Sequence, residues 1–530
     1  MQRTIGFTKL ALLSMAGTIF LQSPGMLAQA FAAPPAAPAP RVRMKWQDFI
    51  KGPAGAKRLA SLKKAVDKMK SLNTSTNKLD YMRSWEYWAN IHGYYGPNSM
   101  DGTVADILAY LKANGLGQYV SYFDGIKDQP LPQDGVADKV WATCQHSSGT
   151  VQANFWGWHR MYLYYFERVL RWAAQDDTLN LPYWDYTNPK QTALPAEFRD
   201  VSSILYDAKR DPKKNDGTQA LDPDSTNADS ALKDPNYLTA ELAVEEGVHG
   251  NVHCETAVTC PIAHMGDVPV AANDPIFYVH HANIDRLWAC WQQSFPPVPS
   301  APWETEQFSF PDEDGNLQTR PVSDFLSTAS LGYVYDNVDH CSRVPAARVL
   351  PTTALLQGPQ KPEERFPVMV GSAPAVALTQ PKTSIDIDVP QQAMLSMAKR
   401  TGQVSTHLVL QQITAQSPPG ALLKVYVEAK GKPAQRQYVA TISWFNAFGG
   451  HHPGPDVRTL TFDVSDQLKA LGVTTGTSGL TVTFEAATGS VPVSAPASKT
   501  LSTTAPAAAF RPEAKLTIGG VQLRQASNTP

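Results

Sequence analysis

The stretch Asn273–Trp288 reads N-D-P-I-F-Y-V-H-H-A-N-I-D-R-L-W. Its Asx-Pro opening, followed by helix-compatible residues, predicts that a helix begins here. Successive residues on a helix point about 100° apart, so normally only one of the adjacent His280 and His281 can face a given site. Asp285 lies four residues after His281 on the same face, where a carboxylate can orient a metal-bound imidazole. The stretch therefore predicts a helix that presents one histidine, supported by a carboxylate, to a site.

The composition is that of an ordinary globular protein. The chain has 530 residues, of which 43% are hydrophobic and 18% charged, and its formal net charge is −2. This length is enough for two or three domains. A near-neutral charge gives no reason to expect nucleic acid or an anionic membrane surface as a partner.

The N-terminus has the pattern of a secretory signal peptide, predicted over residues 1–32. Arg3 and Lys9 supply the positive end, the run Leu10–Leu21 is mostly apolar, and Ala30–Ala32 has the A-x-A form of a cleavage site. The apolar run is too short to span a membrane well. We therefore expect export to the periplasm or the extracellular space without stable membrane anchoring, by a route that stays open.

Five cysteines fit an exported chain, in which thiols oxidise and an odd number leaves one over. They are Cys144, Cys254, Cys260, Cys290 and Cys341. Cys254 and Cys260 are plausible partners across a tight loop, and Cys290 and Cys341 form a plausible second pair, although the connectivity cannot be derived from the sequence. Cys144 is then the remainder, two residues before a histidine.

The chain up to residue 345 predicts a helical domain. Residues 33–42 are a Pro/Ala linker, and residues 43–345 combine helical patterning with long Pro/Asp/Gly-rich connections. We expect a mainly α fold, an α-helical bundle with long irregular loops. Helices are predicted over Lys57–Leu72, Tyr81–His92, Phe155–Ala173 and Tyr237–His253.

The remainder of the chain predicts a β-rich region. Residues 346–382 are rich in Pro, Ala and Gly and are interpreted as a linker. Residues 383–488 contain short β-type runs at regular spacing, which favour a small β-sandwich or barrel. Residues 489–530 are expected to be an Ala/Pro/Ser-rich tail with a final short strand. The predicted strands are Ser384–Val389, Thr406–Thr414, Leu422–Glu428, Gln437–Phe445, Thr459–Val464 and Leu480–Phe484.

Histidines in the helical part indicate a metal site. His249 and His253 are four residues apart and share a helix face, and Glu245 continues that stripe one turn earlier. Neutral imidazole suits Zn, Cu, Fe and Ni, whereas a carboxylate-bridged di-iron bundle would need paired Glu-x-x-His motifs, which the sequence lacks. Six imidazoles without a carboxylate ligand favour two copper ions, each with three nitrogens and a position open to O₂. The six are His92, His146, His159, His249, His253 and His281.

Several motifs resemble those of the tyrosinase/catechol oxidase (polyphenol oxidase) family. H-G-N-V-H at 249–253, together with the stretch 273–288, is similar to the family's second copper motif. A-N-I-H at 89–92 and F-W-G-W-H-R-M-Y-L-Y-Y-F-E at 155–167 resemble its first copper motif, most closely in plant-type members. Leu181–Tyr186 and the segment around Tyr438–Asn446 also resemble plant-type polyphenol oxidases.

The resemblance implies a binuclear type 3 copper site that uses O₂ to oxidise o-diphenols to o-quinones and to ortho-hydroxylate monophenols. It implies small phenolic substrates such as tyrosine, DOPA and catechols, and a copper chaperone as a further partner. By the family match, copper A takes His92, His146 and His159, and copper B takes His249, His253 and His281. The family uses the second of the two adjacent histidines, which leaves His280 a supporting role.

The resemblance also assigns residues around the metals. Glu245 matches the water-holding glutamate of plant-type members and is the expected base for the phenol proton. Val268 matches the gate residue above copper B, where a valine leaves the entry open. Phe277 is expected to pack against the ring of His281.

Three features depart from the family pattern. Twelve residues separate His146 from His159, more than the family usually has, so the loop between them must bulge. Cys144 and His146 form the C-x-H pattern of fungal members, in which the cysteine sulfur is covalently joined to the histidine ring, and we expect that thioether here. Gly250 follows His249, where many enzymes with strong monophenol hydroxylation carry Asn.

The resemblance leaves alternatives open. A hemocyanin-type oxygen carrier has the same six ligands without turnover, and a catechol oxidase lacks monophenol hydroxylation. In plant-type enzymes a C-terminal domain covers the copper cleft, and Trp444, Phe445 and Phe448 are apolar enough to plug it. The same aromatics could instead fill the β region's own core. The preferred phenol and the oligomeric state stay open.

Overall fold

The computed structural model describes the chain from residue 39 onward with gaps. The described residues are 39–129, 134–141, 154–295, 305–338, 361–390, 393, 405–432, 435–445, 447–448, 457–472, 479–493 and 510–525. The chain from Pro40 onward forms one compact unit. The signal peptide, His146, Cys144 and Cys341 lie outside the described residues, so what the sequence indicates for them stays a prediction.

Helices account for most of the described structure before residue 300. In chain order they are α1 (Trp46–Phe49), α2 (Gly52–Ser71), α3 (Lys78–Met82), α4 (Trp85–Asn90), α5 (Val104–Ala113), α6 (Asp134–Trp141), α7 (Phe155–Ala174), α8 (Ala196–Arg199), α9 (Pro212–Asn215), α10 (Asp229–Lys233), α11 (Tyr237–Ala243), α12 (Gly250–Thr256), α13 (Val268–Ala271), α14 (Ile276–Ser294), α15 (Pro362–Arg365) and α16 (Ser465–Ala470). Short 3₁₀ segments cover Gly117–Phe123, Val322–Phe325 and Pro512–Ala514. Among the described helices, none has both the length and the apolar character needed to cross a membrane.

Local signals set where the site-bearing helices begin. α14 starts after the Asp-Pro pair, where the carboxylate of Asp274 accepts a hydrogen bond from the backbone N–H of Ile276 at 3.0 Å. The single helix predicted over Tyr81–His92 is wrong, because the chain forms α3 and α4 separately. The hydroxyl of Ser84 accepts from the backbone N–H of Tyr87 at 3.0 Å and caps a new helix there.

The helix predicted over Tyr237–His253 is also interrupted. A π-helical segment, Val244–His249, joins α11 to α12, and the backbone of Gly247 leaves helical geometry at φ −91° and ψ −108°. Such wide turns are frequent at functional sites. Glu245 and His249 are therefore not related by a regular α-helical turn, as the sequence spacing suggested.

Strands occur in both parts of the described chain, and two sheets form the β-rich region. The strands are β1 (Arg41–Arg43), β2 (Gln219–Leu221), β3 (Gln307–Pro311), β4 (Leu317–Pro321), β5 (Tyr333–Tyr335), β6 (Val368–Ala373), β7 (Val376–Ala377), β8 (Lys382–Ile387), β9 (Thr406–Thr414), β10 (Leu422–Ala429), β11 (Gln437–Ile442), β12 (Arg458–Asp463), β13 (Leu480–Ala487), β14 (Ser490–Pro492) and β15 (Thr517–Gln525). One sheet has the order β11-β10-β13-β8 and the other β12-β9-β15-β6, with β7 also beside β15. Neither sheet closes into a barrel within the described residues, and buried side chains of both belong to one hydrophobic cluster.

The β region recruits strands from both flanking segments. β6 and β7 lie inside the predicted linker 346–382, and β15 lies inside the predicted tail 489–530. β15 runs antiparallel to β9 and β6 and fills the middle of its sheet. Composition alone suggested a linker because the pairing partners of β6 and β7 are distant in sequence, whereas the final strand expected within the tail is present as β15. The predicted strand Thr406–Thr414 is confirmed with the same bounds.

Strand pairing, a hydrogen bond and an ion pair connect the helical part to the β region. β14 pairs antiparallel with β2, which belongs to the helical part. The ammonium group of Lys214 donates to the hydroxyl of Ser490 at 2.8 Å, and Lys424 forms an ion pair with Asp222. The strand β1 pairs in parallel with β5, which ties the start of the described chain to residues after α14.

Asp285, on α14, joins distant parts of the helical fold. One carboxylate oxygen accepts from the guanidinium of Arg160 at 2.5 Å, and the other accepts from Arg43 at 3.0 Å. The hydroxyls of Tyr333 and Tyr335 donate to that second oxygen at 2.7 and 2.6 Å. Asp285 therefore connects α7, α14, β1 and β5 in the interior.

We predict that Asp285→Ala lowers the free energy of unfolding by about 3–5 kcal/mol, because it leaves buried arginines without their counter-charge. Urea unfolding of the metal-free protein measures this. Burial raises the pKa of Asp285, but Arg160 and Arg43 outweigh burial and the net pKa is lowered. The stabilisation is therefore present at neutral pH and is lost as the pH falls through the folded-state pKa.

The control for this measurement is Asp324→Ala. Asp324 pairs with Arg320 at 2.6 Å, but the two side chains are 36% and 48% exposed. An exposed pair is worth at most about 1 kcal/mol. Equal losses for the two variants would contradict the role of Asp285 as a buried junction.

Candidate metal centre

Buried histidines converge from four helical segments of the described chain. Ligand-capable atoms lie within 4.8 Å of one another in two groups, and His281 belongs to both. The groups are His249, His253, His280 and His281, and His92, His159 and His281. His92 follows α4, His159 lies on α7, and the other histidines lie on the interrupted α11–α12 helix and on α14. The structure thus brings together five of the six predicted ligands, and the sixth, His146, is outside the described residues.

Backbone carbonyls hold the rings of three of these histidines. In each ring Nδ1 lies within hydrogen-bond distance of a carbonyl oxygen, which makes it the protonated nitrogen. A hydrogen bond on one ring nitrogen leaves the lone pair of the other available to a metal. The bonds join His159 to Phe155 at 2.7 Å, His249 to Glu245 at 3.1 Å and His253 to Met265 at 2.6 Å.

The opposite nitrogens fit a metal. Among the described residues, Nε2 of His159 and Nε2 of His249 are buried without a hydrogen-bond partner. Burial lowers the pKa of His249 to about 3, and burial also lowers the pKa of His159 and of His253. The imidazoles are therefore neutral at neutral pH and carry unshared lone pairs, which is the donor state that copper and other borderline metals require.

His280 and His281 are both close to the other imidazoles. The hydroxyl of Tyr186 hydrogen-bonds Nδ1 of His280 at 2.8 Å, whereas Nδ1 of His281 is buried without a partner among the described residues. Nε2 of His281 lies 3.4 Å from Nε2 of His253. The ring of His281 also stacks on that of His159, with centroids 4.5 Å apart. His281 is thus placed between the two groups, and Tyr186 anchors His280.

Phe277 packs against the ring of His281, as the sequence predicts. The ring centroids are 4.1 Å apart, and the ring of His92 lies 4.7 Å from Phe277 on another side. Val268, the predicted gate residue, begins α13 and is buried in the main hydrophobic cluster. Phe277 therefore gives an apolar aromatic contact to two of the converging imidazoles.

The predicted support of His281 by Asp285 is wrong. Both oxygens of Asp285 bind arginine and tyrosine side chains, as described above. Sharing a helix face was not sufficient, because Arg43 and Arg160 reach the carboxylate from other elements.

Glu241 is a residue of the site region that the sequence reasoning missed. It is 1% exposed, and its carboxylate accepts from the backbone N–H of Trp156 at 2.9 Å. Burial raises the pKa of Glu241 well above its ordinary value, and the nearby Glu245 raises it further, against hydrogen bonds from the start of α7. The signal available in the sequence was the spacing of four residues between Glu241, Glu245 and His249. Glu245 itself is half-buried and contacts His249 through its carbonyl.

Phe445, from the β region, covers His253 of α12 and His249 at the end of the π-helical segment. Its ring stacks on His253 with centroids 3.9 Å apart and an interplanar angle of 12°, and it meets His249 edge-on at 5.4 Å. Gly250 allows this approach, because a Cβ there would collide with the hydroxyl of Ser443. Arg458 holds the same segment, pairing with Glu246 at 2.6 Å and donating to the carbonyl of Ser443 at 3.0 Å.

The neighbouring aromatics serve the β region itself. The indole N–H of Trp444 donates to the carbonyl of Ala421 at 2.7 Å, and Phe448 lies 6.2 Å from Trp444. Of the three aromatics considered as a plug, Phe445 makes the described ring contacts with the metal-site histidines.

Comparisons with known proteins agree with this geometry. The family model for the common central domain of tyrosinase matches residues 82–237 and 199–294. Tyrosinase HcTyr1 of Hahella sp. (strain CCB-MM4) is 30% identical over 323 residues, which cover 54% of this chain and 63% of that protein. A chloroplastic polyphenol oxidase of Malus domestica is 30% identical over 222 residues, or 35% of this chain and 37% of the relative. The matches thus span less than two thirds of these relatives.

Solved structures share the fold over most of the chain. The structure of latent apple tyrosinase aligns with a TM-score of 0.57 at 20% identity and covers 93% of this chain and 98% of that one. A latent aurone synthase structure aligns with a TM-score of 0.56 at 19% identity over 93% and 90% of the two chains. The convergent buried imidazoles and the family match identify a tyrosinase-type central domain within residues 82–294, with a pair of copper ions as its cofactor, and the chain resembles polyphenol oxidases in sequence and in fold.

Proposed function

We propose that this protein uses O₂ to oxidise o-diphenols to o-quinones and to ortho-hydroxylate monophenols such as tyrosine. The observation that carries the proposal is the set of buried neutral imidazoles whose Nδ1 atoms are tied to carbonyls while Nε2 atoms lack partners. One copper ion takes His92, His146 and His159, and the other takes His249, His253 and His281. The thioether between Cys144 and His146 is part of the same proposal.

The copper pair supplies O₂ binding and two-electron oxidation of the phenol. The protein supplies a rigid, dry surrounding for that chemistry. Phe277 fixes the ring of His281, and Tyr186 fixes His280 beside it. Because the ligand rings are held before a metal arrives, little reorganisation is needed when copper or substrate binds.

Proton removal from the phenol is assigned to Glu245, directly or through a water molecule. Glu245 lies close enough to the buried Glu241 for its charge to raise the pKa of Glu241. Burial favours the protonated form of Glu241, and Glu245 is the more exposed of the two, so Glu245 is the carboxyl group that can reach solvent and substrate. Val268 and Gly250 line the approach to copper B in this proposal.

The β region acts as a lid. Phe445 occupies the face of His253 and His249 that a phenol ring would use, and the Arg458–Glu246 pair holds the segment in place. Substrate must displace Phe445 before its own ring can stack there. The protein is accordingly less active with the lid closed than with the lid opened.

We also propose that the protein is exported. The signal peptide over residues 1–32 would direct the protein to the periplasm or the extracellular space, where disulfides persist. The disulfide between Cys254 and Cys260 fits such a compartment.

The copper-loaded protein is predicted to consume O₂ with L-DOPA and to form quinone, and to convert L-tyrosine more slowly. An oxygen electrode and visible absorbance measure both reactions side by side, with the metal-free protein as control. A hemocyanin-type carrier would bind O₂ reversibly without net consumption. Turnover of L-DOPA with none of L-tyrosine would identify a catechol oxidase instead.

The adjacent histidines are predicted to differ in role. His281→Ala should abolish oxidation and leave about one copper per chain, because it removes a ligand. His280→Ala should retain about two coppers with turnover lowered by about 10–100-fold, the usual cost of losing a group that orients a ligand. Elemental analysis gives the stoichiometry. Two coppers in His281→Ala, with copper lost from His280→Ala, would reverse the assignment.

Phe445→Ala is predicted to raise kcat/KM for L-DOPA by about 10–100-fold, because burial of a phenylalanine ring is worth about 1.5–3 kcal/mol and that cost to substrate entry is removed. Copper content should stay at two per chain. The matched control is Phe448→Ala, which removes an aromatic of the same segment that packs on Trp444. Unchanged or lower turnover in Phe445→Ala with full copper content would make the β region a stability module and not a lid.

A further inference from the structure

The Cys254–Cys260 disulfide lies directly beside a proposed copper ligand. Cys254 follows His253 on α12, and the bond to Cys260 closes the loop that leaves this helix. The sequence left the connectivity open with this pair as a plausible one, and the structure shows the bond. Cys290 is also disulfide-bonded, and its predicted partner Cys341 lies outside the described residues.

His253 obtains its Nδ1 hydrogen bond in a different way from its neighbours. His159 and His249 use carbonyls four residues earlier in their own helical segments. His253 uses Met265, twelve residues later and outside the helix. Helical hydrogen bonding fixes the carbonyls of Phe155 and Glu245, whereas the carbonyl of Met265 depends on how the loop after α12 is held.

The loop that carries Met265 is folded tightly on itself. A Cβ added to Gly266 would lie 2.5 Å from the carbonyl oxygens of Ile262 and of Thr259. This close backbone packing leaves the Met265 carbonyl little freedom relative to Cys260. The loop has one end on α12 through the chain and a second attachment to α12 through the disulfide.

We propose that the Cys254–Cys260 disulfide is a positioning element for His253, which makes copper retention depend on the redox state of these two cysteines. The disulfide keeps the Met265 carbonyl beside Nδ1, so that Nδ1 stays protonated and Nε2 keeps its lone pair toward the metal. The inference rests on the proposed assignment of His253 as a copper ligand. Its effect runs through the orientation of the ring and not through contact of sulfur with the metal.

The redox step needs an external dithiol. Two electrons and two protons from the dithiol convert the disulfide into two thiols, and the dithiol is oxidised to its own disulfide. Both cysteines line a cavity of about 260 Å³ at the boundary with the β region, together with Thr259, Leu422 and Trp444. A small reductant therefore has a route to the sulfur atoms, although both cysteines are buried at 5% and 3% exposure.

Loss of the disulfide removes the attachment of the loop to α12 and weakens the hold on the imidazole, while the contacts of His264 with Asp207 and of Asp267 with Tyr95 remain. The ring of His253 can then change its tautomer and rotate, and the site binds copper less tightly. Removing a group that orients a metal ligand lowers metal affinity by about 10–100-fold. The other proposed ligands of that ion, His249 and His281, keep their own supports.

The test compares Cys254→Ser/Cys260→Ser with Cys290→Ser, which removes a cysteine of the other disulfide. Each protein is loaded with copper and titrated with a competing chelator, and the bound metal is measured by elemental analysis. The double variant should release one copper at a chelator concentration about 10–100-fold lower than the wild type, while Cys290→Ser keeps the wild-type curve. Thermal unfolding of the metal-free proteins separates stability from affinity, because both variants lose a cross-link.

The outcomes are distinguishable from failure of the proposed function. Fewer than two coppers in the wild type would overturn the binuclear proposal itself. Two coppers in the wild type and an unchanged release curve in the double variant would overturn the positioning role alone. A weaker curve that merely follows metal-free stability, and that Cys290→Ser shares, would also overturn it.

A second measurement covers the case in which the double variant does not fold. The folded metal-free wild type is reduced with dithiothreitol, its thiols are capped with iodoacetamide, and peptide mass spectrometry maps the capped cysteines. Copper is then added and the chelator titration repeated. Capping of Cys254 and Cys260 should bring the same weakening, and unchanged retention with both capped would contradict the proposal.

Discussion

Burial forces the imidazoles of this protein into the neutral state, and backbone carbonyls then decide which nitrogen is presented. A buried imidazole that has one hydrogen bond and one unused lone pair is costly in a folded protein unless a metal takes that lone pair. His159 and His249 have this arrangement, and each obtains its carbonyl from its own helical segment. The rest of the helical fold serves to bring those segments within a few ångströms. The Asp285 junction is an example, since it ties α7 to α14 and to the chain ends of the helical part.

The copper site and the β region depend on each other more closely than two separate domains would. Phe445 stacks on His253, and Gly250 provides the space that its segment needs. β14 pairs with β2, and Arg458 reaches Glu246 on the interrupted helix that carries His249 and His253. His253 also donates from Nδ1 to the Met265 carbonyl, in the loop that the Cys254–Cys260 disulfide closes. The imidazole of His253 therefore contacts the proposed lid and is also the ring that the proposed redox-sensitive disulfide positions.

The sequence predicted what depends on local pattern and missed what depends on distant contacts. The bounds of α7 and β9 and the convergence of the histidines follow from periodicity and motif spacing. Asp285 was misjudged because the arginines that bind it come from residues 43 and 160. Glu241 and Tyr186 escaped notice for the same reason, since each acts on an element far away in the chain, and Met265 escaped notice because it acts from the irregular loop after α12. The π-helical segment that ends at His249 has only Gly247 as a local signal, and β6 has the composition of a linker because its partner β15 is distant in sequence.

The central claim is that Nε2 atoms of these buried histidines hold two copper ions. Anomalous diffraction at the copper absorption edge, from crystals of the copper-loaded protein, tests it most directly. The account predicts two anomalous peaks per chain, one bounded by His92 and His159 and the other by His249, His253 and His281, with His280 hydrogen-bonded to Tyr186 and away from both. A single peak, or a peak at Nε2 of His280 with His281 turned away, would contradict it.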